Sequence, residues 1–305
     1  MNKIMTYSIS DLEQLSGIYA HTIRIWERRY GALSPARSQG NTRLYDDNEL
    51  RRLLNIVSLI KSGLKISKIC LLSDREMNRL LDQEFNPVSD DAHSEYCISQ
   101  LVKHGIAFDE YSFHRLLDES IDCLGLSTCY RKVIYPLLVR LGLMWRKDDI
   151  CPAHEHFLAN IIRQKIFTHI NNLAVQKMTG QKWLLFLPEY EDHDIGLLFA
   201  SYILRIYQQQ VIFLGSKVPL NAIAKVYHTL NVDHVLLFMV KTQPTVKAQQ
   251  YINQLSAICT SAQIHLAGNN QVIDELKNID HINRFRTLDE FELSIQSPVL
   301  NERNF

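Results

Sequence analysis

The chain runs to 305 residues with 46% apolar and 22% charged side chains, which excludes a disordered or membrane-embedded protein and exceeds one comfortable core. Its formal charge is zero but unevenly spread. Residues 1–75 hold twelve Lys/Arg against seven Asp/Glu, so a head of +5 precedes a body of −5, as suits a polyanion-binding module joined to something else. The six cysteines are scattered with no CxxC pair, which predicts buried thiols rather than disulfides or a zinc site. No signal peptide or apolar run of spanning length is seen, and a reducing cytoplasm is the expected location.

Residues 1–80 read as short helices. Ser10 with Glu13 suggests a capping box for a first helix ending at Gly17, and a turn at Gly17-Ile18-Tyr19 leads into a second helix from about Ala20 to Tyr30. Helix, glycine-bearing turn and helix form a helix-turn-helix pattern. A basic loop at 37–45 follows as a wing, then a third helix over Asp47–Lys61 and a fourth starting near Gly63. Asn86-Pro87-Val88-Ser89-Asp90-Asp91 reads as a linker. Helices at about 92–104, 109–124, 127–147 and 152–176 predict a four-helix bundle, with Pro152 at the first position of the last. After Gly180, apolar runs at 183–187, 211–214, 235–240, 264–267 and 282–285 alternate with helical stretches. That alternation predicts a doubly wound, flavodoxin-like parallel sheet. The fold class is therefore multidomain: an all-α winged helix-turn-helix head (1–80), a bundle (92–178) and an α/β domain (180–305).

An arginine-rich helix followed by a basic loop fits a DNA duplex, the helix in the major groove and the loop on neighbouring phosphates. His21, Thr22 and Arg24 lie near the N-terminal end of the second helix, where side chains meet base edges. Arg24 can donate bidentately to guanine, and Thr22 can meet a phosphate or a thymine methyl. Arg28 and Arg29 suit phosphates or anchor the wing, while Arg37, Asn41, Arg43 and Tyr45 of the wing suit the DNA backbone. Ile23, Trp26 and Leu44 read as core. The plainer alternative is a helical packing module with a solvated basic face.

Tyr7–Leu12, Gly17, the run His21–Gly31 and Arg43-Leu44-Tyr45 closely resemble the MerR family of winged helix-turn-helix regulators over about residues 5–72. The resemblance implies a transcription regulator on a two-fold, double-stranded operator, with RNA polymerase a candidate partner. Family members usually pair through a long coiled coil. Here only about Asp74–Gln83 reads as helical before the linker, so a homo-dimer or tetramer is expected to form through the C-terminal region.

A second cluster, Glu189-Tyr190-Glu191-Asp192-His193-Asp194-Ile195-Gly196, falls at the end of the first predicted strand, where doubly wound sheets present ligands. His193 could ligate a metal through one ring nitrogen while Glu191 holds the other, and Gly196 would let the helix begin against a bulky ligand. Glu191-x-His193-x-x-Gly196 resembles the Asp-x-His-x-x-Gly motif of cobalamin-binding domains. Where those domains carry Ser-x-Leu and Gly-Gly, this chain has Phe238-Met239-Val240 and Ala267-Gly268. Phe238 thus replaces a small hydroxyl residue of the channel for the nucleotide tail. Trp145 with Glu155-His156 resembles the Trp-x9-Glu-His pattern of MerR-type cobalamin photoreceptors that regulate carotenoid genes. The resemblance implies an adenosyl- or methylcobalamin between bundle and α/β domain, with His193 as lower cobalt ligand and Trp145, Glu155 and His156 over the upper face. Those photoreceptors carry a histidine just after the tryptophan. Arg146 stands there and cannot ligate, so a light response here is expected to lack a bis-histidine state. One alternative is a regulator that has lost the cofactor and acts by protein interaction, or that binds another planar ligand such as haem. A corrinoid enzyme is not expected, since no residues remain for a substrate domain.

Overall fold

The computed structural model describes residues 6–38, 40–82, 90–145, 152–173, 180–241 and 243–296. They form two compact units, 1–161 and 162–305.

The first unit opens with α1 (Ile9–Ser16), whose cap is Ser8 and not the expected Ser10. The Ser8 hydroxyl accepts from the Asp11 amide, and the Asp11 carboxylate takes the Ser8 N–H. Gly17 ends α1 at φ 69°, a left-handed conformation that glycine adopts without strain. Then come α2 (Ala20–Tyr30), an antiparallel wing of β1 (Ala36–Arg37) and β2 (Arg43–Leu44), α3 (Asp47–Lys61), α4 (Ile66–Ile69) and α5 (Asp74–Asp82). Leu12, Leu15, Ile23, Leu50, Leu53 and Leu54 are fully buried between these helices. Each such burial stabilises by about 1.5–3 kcal/mol.

The bundle helices are α6 (Asp90–Ile106), α7 (Glu110–Leu124), α8 (Leu126–Cys129), α9 (Tyr135–Trp145) and α10 (Pro152–Asn171). The single third helix read from the sequence is in fact α8 and α9 joined by a π turn, Tyr130–Ile134. Pro136 supplies a reason. It has no N–H and its ring crowds the carbonyl four residues back, and the neighbouring Tyr135 N–H reaches five back to Tyr130. A polar joint links head and bundle within this unit: Gln100 of α6 donates to Ser58 of α3 at 2.8 Å, and Lys103 donates to Asn55 at 3.2 Å and Asn78 at 3.1 Å. Residues 86–89 of the expected linker lie outside the described residues, and Asp90 and Asp91 already belong to α6.

The second unit alternates β3 (Lys182–Pro188), α11 (Ile195–Ile206), β4 (Gln210–Val218), α12 (Leu220–Leu230), β5 (His234–Met239), α13 (Thr245–Ile258), β6 (Gln263–Gly268), α14 (Asn270–Ile273), β7 (Ile282–Phe285) and α15 (Leu288–Gln296). All five strands pair in parallel in the order β4-β3-β5-β6-β7, the flavodoxin-like winding. β3 is buried from Trp183 to Pro188, as a central strand covered on both faces must be. Leu184, Phe186, Val235, Leu237 and Leu266 pack with Ile223, Ile252 and Leu255 of α12 and α13 on one face. The alternate residues face the other way. The chain order reverses at β3, between β4 and β5, and the candidate ligand loop leaves β3 there. Among the described residues no helix is long and apolar enough to cross a membrane, and Cys97, Cys129 and Cys259 are buried thiols.

Candidate functional site

The head presents a basic face. α2 buries Ile23 and leaves His21, Arg24, Arg28 and Arg29 exposed, with Thr22 half-buried beside His21. In the wing, Arg37 donates to the backbone oxygen and the side-chain oxygen of Asn41 at 3.1 and 3.0 Å, and Asn41 sits at φ 60°, which asparagine tolerates. Two wing residues differ from expectation. Tyr45 is fully buried and donates its hydroxyl to Glu27, so it braces the wing and has no surface to offer a phosphate. Arg43, still partly exposed, donates to the same carboxylate at 2.9 Å. Glu27, the one acid in α2, went unremarked in the sequence, although an acid amid those arginines was the available signal. Trp26 and Leu44 are half-buried.

At the other site, the loop after β3 carries Glu191 with no exposed surface. Its Oε1 accepts from the Asp192 and His193 amides at 3.0 and 3.1 Å and from His193 Nδ1 at 2.5 Å. Its Oε2 accepts from the Val240 and Lys241 amides, just beyond β5, at 2.8 and 2.7 Å. Burial pushes this carboxyl up. The bonds from the His193 ring and from the Lys241, His193 and Val240 amides outweigh that and hold it down at about 2. Glu191 is therefore an ionised hub that ties two strand-end loops together across the switch point. Backbone amides have no residue signature, so the roles of Val240 and Lys241 were invisible in the sequence.

With Nδ1–H on Glu191, the imidazole tautomer is fixed and metal ligation falls to Nε2. The His193 side chain is 36% exposed, open enough to meet a ligand. Glu191, Asp192 and His193 bring three ligand-type atoms within 4.8 Å of one another, but the Glu191 oxygens are engaged by five N–H groups. A lone ion needs several protein ligands, so this is no metal cage. One imidazole suits a metal whose other positions a macrocycle fills.

Phe238 corrects one expectation. Its ring lies over Gly196, where an added Cβ would come 2.8 Å from Phe238 Cε1. The start of α11 is thus covered by a side chain of this chain and not open to a ligand. Gly268 is required by the backbone. Its φ is +128°, and a Cβ would sit 2.3 Å from the Met239 carbonyl oxygen. Trp145 ends α9, while Glu155 and His156 occupy the first turn of α10, half-buried and exposed respectively. Arg146 lies outside the described residues. Arg163 of α10, not foreseen, donates to Asp194 at 2.6 Å beside His193.

Comparison with known proteins bears on both sites. Residues 7–76 match the MerR HTH family regulatory protein model, and residues 98–168 match a B12 binding domain. The HTH-type transcriptional repressor CarH of Myxococcus xanthus is 28% identical over 253 residues, covering 82% of this chain and 84% of the relative. CarA, another HTH-type transcriptional repressor of that organism, is 24% identical over 266 residues, 87% of each chain. The HTH-type transcriptional regulator CueR of Bacillus subtilis matches the head alone, 44% identical over 64 residues, 21% of this chain and 44% of that one. The solved monomethylamine corrinoid protein of Methanosarcina barkeri superposes with a TM-score of 0.53 at 13% identity, covering 66% of this chain and 97% of that one, and shares its fold. This chain is a MerR-type DNA-binding transcription regulator that carries a B12-binding domain.

Proposed function

We propose that a corrinoid ligated by His193 sets how firmly this regulator holds its operator, and that the bound state represses, as in the relatives named repressors. The observation that carries the reading is the buried, ionised Glu191 holding the Nδ1 proton of His193 at the switch point of the sheet. These residues fit the cofactor on the cobalt side, where one imidazole with a fixed tautomer is the donor needed. When bound, the corrinoid would supply a cobalt centre open to ligand exchange, held by His193 with Glu191 behind it. Trp145, Glu155 and His156 are assigned to its upper face by motif resemblance, and Phe238, which covers Gly196, and Gly268 to its lower side. The Arg163–Asp194 ion pair joins α10 to the N-cap of α11, next to His193, and so gives strain in the ligand loop a path into that helix.

In the head, Arg24 with His21 and Thr22 reads base edges, while Arg28, Arg29, Arg37, Asn41 and Arg43 set register on phosphates. Tyr45 serves through the wing it braces. The chain works in the cytoplasm as a homo-dimer or tetramer paired through residues beyond the head (domains 1–80, 92–178 and 180–305), with RNA polymerase its candidate competitor or partner at the promoter.

The test is absorbance and gel shift on purified protein with adenosylcobalamin, dark and then illuminated, with haem as the rival ligand. The expected result is a corrinoid spectrum altered by His193→Ala, and operator binding that changes with cofactor state. Each lost phosphate contact should lower the salt slope of DNA binding by about 1. Wild-type protein that retains no corrinoid, or whose spectrum His193→Ala leaves unchanged, overturns the sensory reading and leaves the DNA-binding one standing.

A further inference from the structure

The cobalt side of the site fits a corrinoid, but the space beneath it is filled. A complete cobalamin carries a nucleotide tail that descends from its lower face and ends in an aromatic base. A cobalt has one lower position, so when His193 holds it, that base is detached and must be housed beyond His193. The motif resemblance assigns that space to the start of α11 and the ends of β5 and β6, where Gly196, Phe238 and Gly268 stand. On the α11 face of the sheet, the residue alternation brings Phe238 beside Ala267, its register partner on β6. Its ring rests on the bare backbone of Gly196, at a distance that leaves no room even for a methyl group. Gly196 is the only glycine in α11, so this bare backbone is where an aromatic ring can approach the helix most closely. The ring found there belongs to the protein.

We propose that Phe238 determines which corrinoid this chain prefers. Its ring takes the place of the detached base, so a corrinoid lacking the base binds more tightly than complete cobalamin, which enters only by displacing Phe238. The proposal rests on the reading of His193 as the cobalt ligand. It goes beyond that reading by assigning specificity for the tail to one side chain.

The experiment compares binding of adenosylcobinamide, which has no base, and adenosylcobalamin to the full chain in the dark, by equilibrium dialysis and absorbance. Wild type, Phe238→Ala, Phe238→Leu and His193→Ala are each checked by a thermal melt. Wild type should hold adenosylcobinamide about tenfold more tightly than adenosylcobalamin, a difference the size of a displaced apolar side chain. Phe238→Ala should recover about tenfold for adenosylcobalamin and move adenosylcobinamide less than twofold, with Phe238→Leu between. Phe238→Leu also keeps the test alive if the alanine variant misfolds. If wild type holds the complete cofactor as tightly as the truncated one, the proposal is overturned while the His193 reading survives. If adenosylcobinamide binds neither wild type nor Phe238→Ala, or binds His193→Ala as well as wild type, the His193 reading falls and takes the proposal with it.

Discussion

His193 and His265 belong to the same five-stranded unit, and each is tied to a neighbour through one ring nitrogen, yet their surroundings are opposite. His193 has an ionised, fully buried carboxylate behind it and a side chain 36% exposed in front. His265 is 2% exposed, and its Nε2 bonds His234 Nδ1 at 2.9 Å, while His234 Nε2 bonds Gln181 at 2.8 Å. Trp183 stacks on both of these rings at 4.2 and 4.8 Å, and Phe285 stacks on His265 at 5.0 Å. Burial, with His234 adding a smaller push, lowers the His265 pKa to about 3. An imidazole offered to a metal needs an anion to orient it and an open side. One enclosed by aromatic rings with a neutral partner stays neutral and works as packing.

The harshest way to break this contrast is Glu191→Ala. Five N–H groups would lose their acceptor inside the fold, at a cost of about 3–5 kcal/mol as for a broken buried pair. Corrinoid affinity should fall about 10–100-fold, as for loss of a partner behind a metal ligand. A thermal melt matching wild type would show that the hub is not structural. Next in size is the reciprocal pair His265→Ala and His193→Ala. The first should cost about 2–4 kcal/mol through the hole left in the aromatic stack, with corrinoid binding kept once folded. The second should stay within about 0.5 kcal/mol in stability and lose the imidazole–cobalt spectrum. Denaturant titration beside absorbance separates the two, and matching losses in both variants would erase the distinction.

The contrast also explains what could be read in the residues alone. The five alternating strands followed from apolar runs at regular spacing, and the Glu191–His193 pair from two residues close in sequence. The π turn at Tyr130–Ile134 was missed because one proline in an otherwise helical run does not state how the helix will accommodate it. The burial of Tyr45 on Glu27 joins residues far apart in sequence, and a tyrosine in a basic wing looks the same whichever way it turns. Phe238 over Gly196 was half legible. The substitution stood out, but that the ring would rest on that glycine depends on the packing of β5 against α11. The His234–His265–Trp183 cluster left no mark, since its members lie on three different strands.

Acid sharpens the comparison further, because the two groups lose stability in different windows. The folded state refuses a proton at His265 down to about 3, while the unfolded chain takes one near the ordinary histidine value of 6.5. Stability is therefore level above pH 6.5 and falls below it, by about 1.4 kcal/mol at pH 5.5. Glu191, held at about 2 against an ordinary 4.5, contributes fully above pH 4.5 and loses that contribution as pH drops toward 2. Melts of His265→Phe, which keeps a ring in the stack, should reduce the decline between pH 6.5 and 5, with the remainder from His234 and His104, which burial also pushes down, and leave the steeper one below 4.5. A decline unchanged by His265→Phe would place the acid-sensitive group elsewhere.

The smallest effect lies at Gln181, which is exposed at the start of the sheet. Its Oε1 accepts from His234 Nε2–H, so His234 Nδ1 must accept from His265 Nε2–H. That order leaves a bare lone pair on His265 Nδ1, which is buried without a hydrogen-bond partner. Gln181→Leu removes the group that sets this direction, at a cost of only about 0.5 kcal/mol because water can reach the position. The readout is the tautomer and not the melt. Nitrogen chemical shifts should place the His234 proton on Nε2 in wild type and show a mixture in the variant, while the His193 spectrum with bound corrinoid stays as it was. If the His234 shifts do not move, the aromatic cage alone dictates the tautomer. The enclosed imidazole would then need no outside partner at all, which is the sharpest form of its difference from His193, whose tautomer Glu191 must hold.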